Sequence, residues 1–301
     1  MVPVPTAARP FGALLTAMVT PMSPDGSVDL DAGVALAKHL VAHGHDGLVL
    51  NGTTGEAPTT HAPEKAELVR AVVEAVGEKA FVLAGAGSND TAHAVRMAEQ
   101  AADAGAHGLL VVTPYYSRPS QEGIYRHTVA VADATDLPVM LYDVPARTVV
   151  RYAPETLDRL AEHPRVVAVK DATGDAVGVL RARARTGLAF YSGDDPILLP
   201  YLAAGAVGLV SMAAHLVGDG LAEVIRAHDA GEPGRALEAF VALLPVIDLV
   251  CGSGNGALRS KAALHLLGLI PSPTMRLPQV AADEAETQHV RSVLASAGLL
   301  P

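Results

Sequence analysis

The sequence predicts an α/β protein: a (β/α)8 TIM barrel followed by a C-terminal helical appendage. Three observations carry this expectation. Eight short apolar runs recur along the chain, each giving way to a polar or turn-forming residue. Amphipathic stretches at helical spacing lie between them. Past residue 230 the runs stop and only helical periodicity remains. Strands buried on both faces read as continuous apolar segments, and eight of them alternating with helices is the pattern of this barrel.

In chain order the runs span 14–20, 47–51, 81–85, 108–113, 138–142, 166–170, 188–192 and 207–211. Each is apolar throughout, with no polar alternation, as a buried parallel strand requires. Among the intervening stretches, 29–43, 64–77 and 91–105 read as helices. In the third, Ala94, Val95, Ala98, Ala101 and Ala102 keep helical spacing and Gly105 supplies a stop. Beyond the barrel, 234–250, 259–267 and 282–297 read as helices joined by Gly- and Pro-rich turns. The expected division is a catalytic barrel over 1–230 and a helical region over 231–301. A doubly wound sheet is the competing fold, but it usually carries a glycine-rich phosphate loop after its first strand. Here Pro21-Met22-Ser23-Pro24-Asp25-Gly26 follows instead.

Composition narrows the partners. The net charge is −10 and the pI about 5.6, so the chain repels phosphate backbones and anionic membranes. No nucleic acid or membrane is expected as a partner, and an anionic substrate would need local Arg or Lys to hold it. The single cysteine, Cys251, permits no internal disulfide and fits a reducing compartment. The first eleven residues hold three prolines and no apolar core of a signal peptide. No uninterrupted apolar run reaches the roughly 18 residues of a membrane span. A soluble, cytoplasmic protein is the expectation.

In such a barrel the active site lies at the C-terminal ends of the strands. Strand two runs into Gly52-Thr53-Thr54-Gly55-Glu56, and strand four ends at Thr113-Pro114-Tyr115-Tyr116. Strand five ends in Tyr142-Asp143-Val144-Pro145-Ala146-Arg147-Thr148, strand six in Lys170-Asp171, and strand seven in Ser192-Gly193-Asp194-Asp195. Lys170 closes a run of β-branched and small apolar residues. Burial disfavours an ammonium there, and a neutral amine is the nucleophile that attacks a ketone to form an imine. A lysine snorkelling from a strand end is the plainer alternative. Tyr142 and Tyr116 can pass protons if a hydroxyl such as Thr54 links them; singly, each could be an ordinary rim tyrosine. The 52–55 turn offers backbone N–H groups to a small carboxylate, or is simply a strand–helix turn. Arg147 suits a second carboxylate in a bidentate fork, or a surface ion pair.

Other patterns carry less. His39 and His43 have i,i+4 spacing near His45, but no acid completes a local metal motif, and no metal is expected. Gly85-Ala86-Gly87 lacks the rest of a dinucleotide fingerprint. In the 25–31 segment Leu30 occupies the place where a calcium loop needs glycine. Residues 252–256 read as a loop between appended helices.

Together and in this order, Gly52-Thr53-Thr54-Gly55-Glu56, Tyr142-Asp143-Val144-Pro145-Ala146-Arg147-Thr148 and Val169-Lys170-Asp171-Ala172-Thr173-Gly174-Asp175 are highly specific. The chain resembles, from about Gly12 to the C-terminal helices, the pyruvate-dependent class I aldolase family of dihydrodipicolinate synthase and N-acetylneuraminate lyase. The synthase branch is the nearer likeness. The resemblance implies condensation of pyruvate with L-aspartate 4-semialdehyde through an imine on Lys170, in lysine and diaminopimelate biosynthesis. It implies Tyr142 as proton donor and acceptor. Thr54 links it to Tyr116, which reaches in from a neighbouring subunit. It implies Thr53 and Thr54 as holders of the pyruvate carboxylate, Arg147 as the site of the semialdehyde carboxylate, and Gly193 and Val210 as pocket lining. No metal or redox cofactor is implied, and the implied assembly is a homotetramer built as a dimer of dimers.

Arg147 discriminates within the family: sialic acid lyases tend to lack an arginine after this Tyr-x-x-Pro turn. The paired Tyr115-Tyr116 favours the synthase as well. A sialic or sugar-acid lyase stays open as a rival, as does a non-catalytic binding barrel, which loss of the lysine or tyrosine would have favoured. A phosphate-binding isomerase is a third, opposed by the two acids of Gly193-Asp194-Asp195. One departure stands out. Lysine-inhibited relatives use a small polar residue, histidines and a glutamate in an effector pocket. The matching positions here are Ala57, Ala62, Lys65 and His93, with Asn89 and Tyr115 retained. A cationic Lys65 repels the ligand's ammonium, so L-lysine is expected to inhibit weakly or not at all.

Overall fold

The structure is a computed structural model that describes residues 8–252 and 255–300. Its strands are β1 (Leu14–Ala17), β2 (Gly47–Leu50), β3 (Phe81–Gly85), β4 (Gly108–Val112), β5 (Val139–Asp143), β6 (Val166–Asp171), β7 (Ala189–Ser192) and β8 (Gly208–Ser211). All pair in parallel, in sequence order, and β8 closes back on β1. The helices between them are α1 (Leu30–Ala42), α2 (Ala62–Val76), α3 (Thr91–Asp103), α4 (Gln121–Asp133), α5 (Pro145–Thr148), α6 (Pro154–Ala161), α7 (Ala176–Thr186) and α8 (Leu198–Ala203). After β8 come α9 (Ala214–Asp229), α10 (Pro233–Cys251), α11 (Gly256–Leu266) and α12 (Glu284–Ser296).

The continuous apolar character of the strands follows from burial on both faces. Leu15, Val49, Leu83, Leu110, Met140 and Val210 point inward and fill the barrel with Phe11 beneath them. Their neighbours Leu48, Val82, Leu109, Leu141, Val169 and Phe190 point outward against the helices. Side chains alternate with period two, so each strand supplies both layers. Polar side chains begin the helices: Asp29, Ser120 and Asp175 accept from Ala32 N, Gly123 N and Gly178 N. Gly105 takes a left-handed φ of 86° just after α3, where the sequence placed the stop.

Beyond the barrel, Phe240 and Ile247 of α10 and Val290 and Leu294 of α12 share one apolar cluster with Leu14, Leu209, Leu221 and Ile225. Two expected boundaries shift for identifiable reasons. Asn255 accepts from Ala257 N and Leu258 N, so α11 begins at Gly256 rather than 259. Asp283 accepts from Glu286 N, so α12 begins at Glu284 rather than 282. The readings placed on residues 1–7 and 253–254 lie outside the described residues. Among those described, no single helix is long and apolar enough to cross a membrane.

Candidate active site

Tyr142 and Lys170 are the penultimate residues of neighbouring strands, and their Cα atoms are partners in the β5–β6 ladder. Both side chains turn into the mouth of the barrel. Lys170 is only 6% exposed, with Nζ 4.3 Å from the centroid of the Tyr142 ring. Among the described residues no hydrogen bond or ion pair engages that amine. Gly193, just past β7, lies against the stem of the lysine side chain. A Cβ placed there would stand 3.0 Å from Lys170 Cγ and 3.1 Å from both Ala172 Cβ and Asp171 O. Val210 on β8 is buried in the same inner layer as Tyr142.

The turn after β2 rises beside this pair. Asn51 and Glu56 bracket it with left-handed φ values of 55° and 58°. Glu56 N donates to Thr53 O and Ala57 N to Gly52 O, which folds the segment tightly. Thr54 is buried and Thr53 exposed. The turn is wedged by close backbone approaches: a Cβ on Gly85 would meet Asn51 O at 2.2 Å.

Above these residues opens a cleft of about 840 Å³ whose lining includes Thr53, Tyr115, Tyr116, Tyr142 and Arg147. It contains Lys65, Arg118 and Arg147 but no Asp or Glu, in a chain of net charge −10. Arg147 sits on the single turn of α5, exposed, and none of the described ion pairs uses its guanidinium. A second recess joins Thr53, Thr54 and Arg147 to Asn255 and Gln279 of the appendage. Tyr116 is 87% exposed, with φ 73°, on the outer rim. The positions matched to an effector pocket, Ala57, Ala62, Lys65, Asn89, His93 and Tyr115, all line the large cleft. Lys65 Nζ donates to Ala57 O at 2.9 Å, and burial pushes its ammonium down.

Several charged residues near the site face away from it. Asp143 and Asp171 follow Tyr142 and Lys170 by one residue and so point outward. Asp171 Oδ1 accepts from Thr173 N and Thr173 Oγ1, and from Tyr201 OH at 2.6 Å. Asp143 is buried with Oδ1 unpartnered. Burial, then the charge of Asp171, push its carboxyl up to about 7 against Arg151 and the Tyr152 N–H. Asp195 is consumed inside the fold, accepting from Met212 N, Ser211 Oγ and Cys251 Sγ. Burial and then Asp195 push the Cys251 thiol up, away from reactivity. Asp194 is pushed up by burial and by Asp195, with Lys170 opposing.

The histidines do not converge. The His39 and His43 rings lie 4.4 Å apart, and His43 Nδ1 pairs with Asp219 Oδ2 at 2.7 Å. His45 turns inward to Thr16 Oγ1, and burial, then His215, hold it down to about 3. Asp219 is the acidic neighbour that local spacing could not show, being 176 residues from His43.

Comparison of the whole chain finds relatives of one kind. A family model described as the dihydrodipicolinate synthetase family matches residues 10–297. The chain is 53% identical to 4-hydroxy-tetrahydrodipicolinate synthase 2 of Streptomyces coelicolor, over 99% of each chain. It is similar to the solved dihydrodipicolinate synthase of Cyanidioschyzon merolae with lysine bound. That likeness has 39% identity and a TM-score of 0.91, covering 96% of this chain and 99% of that one. It is also similar to the chloride-inhibited dihydrodipicolinate synthase of Acinetobacter baumannii complexed with pyruvate. There the identity is 34% and the TM-score 0.90, covering 96% of this chain and 100% of that one.

Proposed function

Because the chain belongs to the dihydrodipicolinate synthetase family, we propose that it condenses pyruvate with L-aspartate 4-semialdehyde through a Schiff base on Lys170. It is an enzyme, a lyase of the Schiff-base-forming class, acting in diaminopimelate and lysine biosynthesis. The observation that carries the site assignment is the buried Lys170 amine, with no hydrogen bond or ion pair among the described residues, against the Tyr142 ring, which itself lines a cleft whose described lining holds no acid.

Lys170 Nζ attacks the ketone carbon of pyruvate. The carbinolamine loses water to give the imine, and loss of a methyl proton gives the enamine. The enamine carbon attacks the aldehyde and forms the new carbon–carbon bond. The amino group of the bound adduct then attacks the imine carbon, closes the ring and releases Lys170. Tyr142 moves the protons, relayed through Thr54 and Tyr116. Thr53 and Thr54 hold the pyruvate carboxylate on the 52–55 turn, and Gly193 and Val210 shape the floor. Arg147, in no ion pair among the described residues, forks onto the semialdehyde carboxylate. The imine is itself the electron sink and no carbon changes oxidation state with an external partner, so the chemistry calls for no metal or redox cofactor. Tyr116, exposed on the rim, supports a role in a neighbouring subunit's site and so a homotetramer built as a dimer of dimers. The lone cysteine supports a cytoplasmic location.

Borohydride reduction with pyruvate tests the chemistry. Intact-protein mass is expected to rise by one reduced pyruvyl group on wild type and not on Lys170→Ala. Wild type without an adduct would return the non-catalytic barrel to first place. An adduct with turnover of N-acetylmannosamine but not of aspartate semialdehyde would reassign the second substrate.

A further inference from the structure

Glu56 closes the 52–56 turn, and its carboxylate is 4% exposed. Among the described residues, no ion pair joins it to a cation of the barrel. Its partner is Lys261 on α11, fully buried and 205 residues further along the chain, whose Nζ donates to Glu56 Oε1 and to Thr274 O. The backbone N of Arg276 donates to the other oxygen, Glu56 Oε2, at 3.0 Å. The Arg276 side chain then donates to Gly26 O at 2.7 Å and Thr59 O at 2.8 Å and clamps Glu64 on α2. So the appendage grips both the end of the turn and the helix that follows it.

Burying two opposite charges is costly in solvation, and an apolar pair of similar volume would stabilise the fold equally well or better. What an ion pair adds is direction: fixed donors aim Glu56 and, through it, the backbone between Asn51 and Glu56. Burial pushes the Lys261 ammonium down and Glu56 opposes, so the lysine's charge leans on the carboxylate. Thr53 and Thr54 lie within the stretch so aimed. We infer that Lys261 is a positioning residue for the carboxylate-binding turn, which makes the C-terminal appendage part of the catalytic apparatus. The inference rests on the reading that this turn holds pyruvate.

The test is steady-state kinetics of the full-length double variant Glu56→Gln/Lys261→Met, which leaves no charge buried alone. Its thermal midpoint is measured beside the wild type to show that it folds. The pyruvate KM is expected to rise about tenfold, with kcat falling less and the semialdehyde KM moving little. A folded double variant whose pyruvate KM stays within about twofold of wild type overturns the inference. If that variant does not fold, Glu56→Gln alone, which removes the carboxylate that Lys261 holds while keeping its shape, takes its place. The same direction is expected, and an unmoved pyruvate KM overturns the inference there too. Borohydride trapping of wild type is run first. Absence of an adduct there removes the pyruvate reading and the inference with it, whereas an adduct with an unmoved variant KM removes the inference alone.

Discussion

Gly193→Ala tests how closely the barrel packs around the nucleophile. Gly193 does not need glycine for its backbone, since its φ is not left-handed. What it lacks is room. The added methyl would stand 3.0 Å from Lys170 Cγ and 3.1 Å from Asp171 O. Ordinary carbon contacts lie near 3.5–4.0 Å, so Lys170 must move by roughly 0.5 Å or more. The alternative, moving Asp171 O, would stretch the 2.7 Å hydrogen bond from Gly193 N that ties the loop to β6. Overpacking of this kind costs about 1–3 kcal/mol of stability. A nucleophile displaced by such a distance loses on the order of 10- to 100-fold in rate. The assay is the rate of pyruvate-dependent borohydride trapping, followed by intact mass, beside a thermal melt. Trapping within about twofold of wild type in a folded Gly193→Ala protein would refute the argument that contact with Gly193 aligns Lys170.

Three further outcomes are expected. Asp143, pushed up to about 7 by burial and Asp171, keeps a proton that the unfolded chain releases near roughly 3.9. Stability therefore falls as pH rises from about 4 to 7 and levels off above; Asp143→Asn should flatten that slope and be more stable above pH 7, by on the order of a few kcal/mol. Denaturant melts across pH show this, and an unchanged slope would count against it. L-lysine should inhibit weakly or not at all, because Lys65 Nζ occupies the cleft wall beside His93, Asn89 and Tyr115; half-inhibition at low millimolar concentration or below contradicts this. Tyr116→Phe and Lys170→Ala should each be nearly inactive, yet a dissociated and reassembled 1:1 mixture should recover about a quarter of wild-type activity by statistical pairing. No recovery would place Tyr116 in its own subunit's site.

Much of the barrel was legible because strands covered on both faces leave uninterrupted apolar runs, and all eight fall where the sequence put them. Only their ends differ. Residues 18–20 leave the β1 ladder, while Asp143 and Asp171 join β5 and β6 as a register pair. Lys170 was legible as a charge closing one of those runs. Direction was not. Tyr191 is the Cα partner of Lys170 on β7, but its hydroxyl reaches down to Gly12 O, closing the barrel floor. Nor were long-range partners visible: nothing in Arg259-Ser260-Lys261 distinguishes the fully buried lysine from an ordinary charge on a helix face. A charge at an otherwise apolar helical position would have been the one available signal, and α11 is too weakly amphipathic to give it.

The distribution of charge ties the site to the rest of the molecule. A surface of net charge −10 repels the anionic substrates that this chemistry uses, but at physiological salt that repulsion fades within about 8 Å. What a carboxylate meets inside the cleft is Arg147 without a competing acid, and backbone N–H groups on a turn braced from behind. Three acids near the site are engaged by other groups. Glu56 is held by Lys261, Asp195 accepts from Ser211, Met212 and Cys251, and Asp171 accepts from Thr173 and Tyr201.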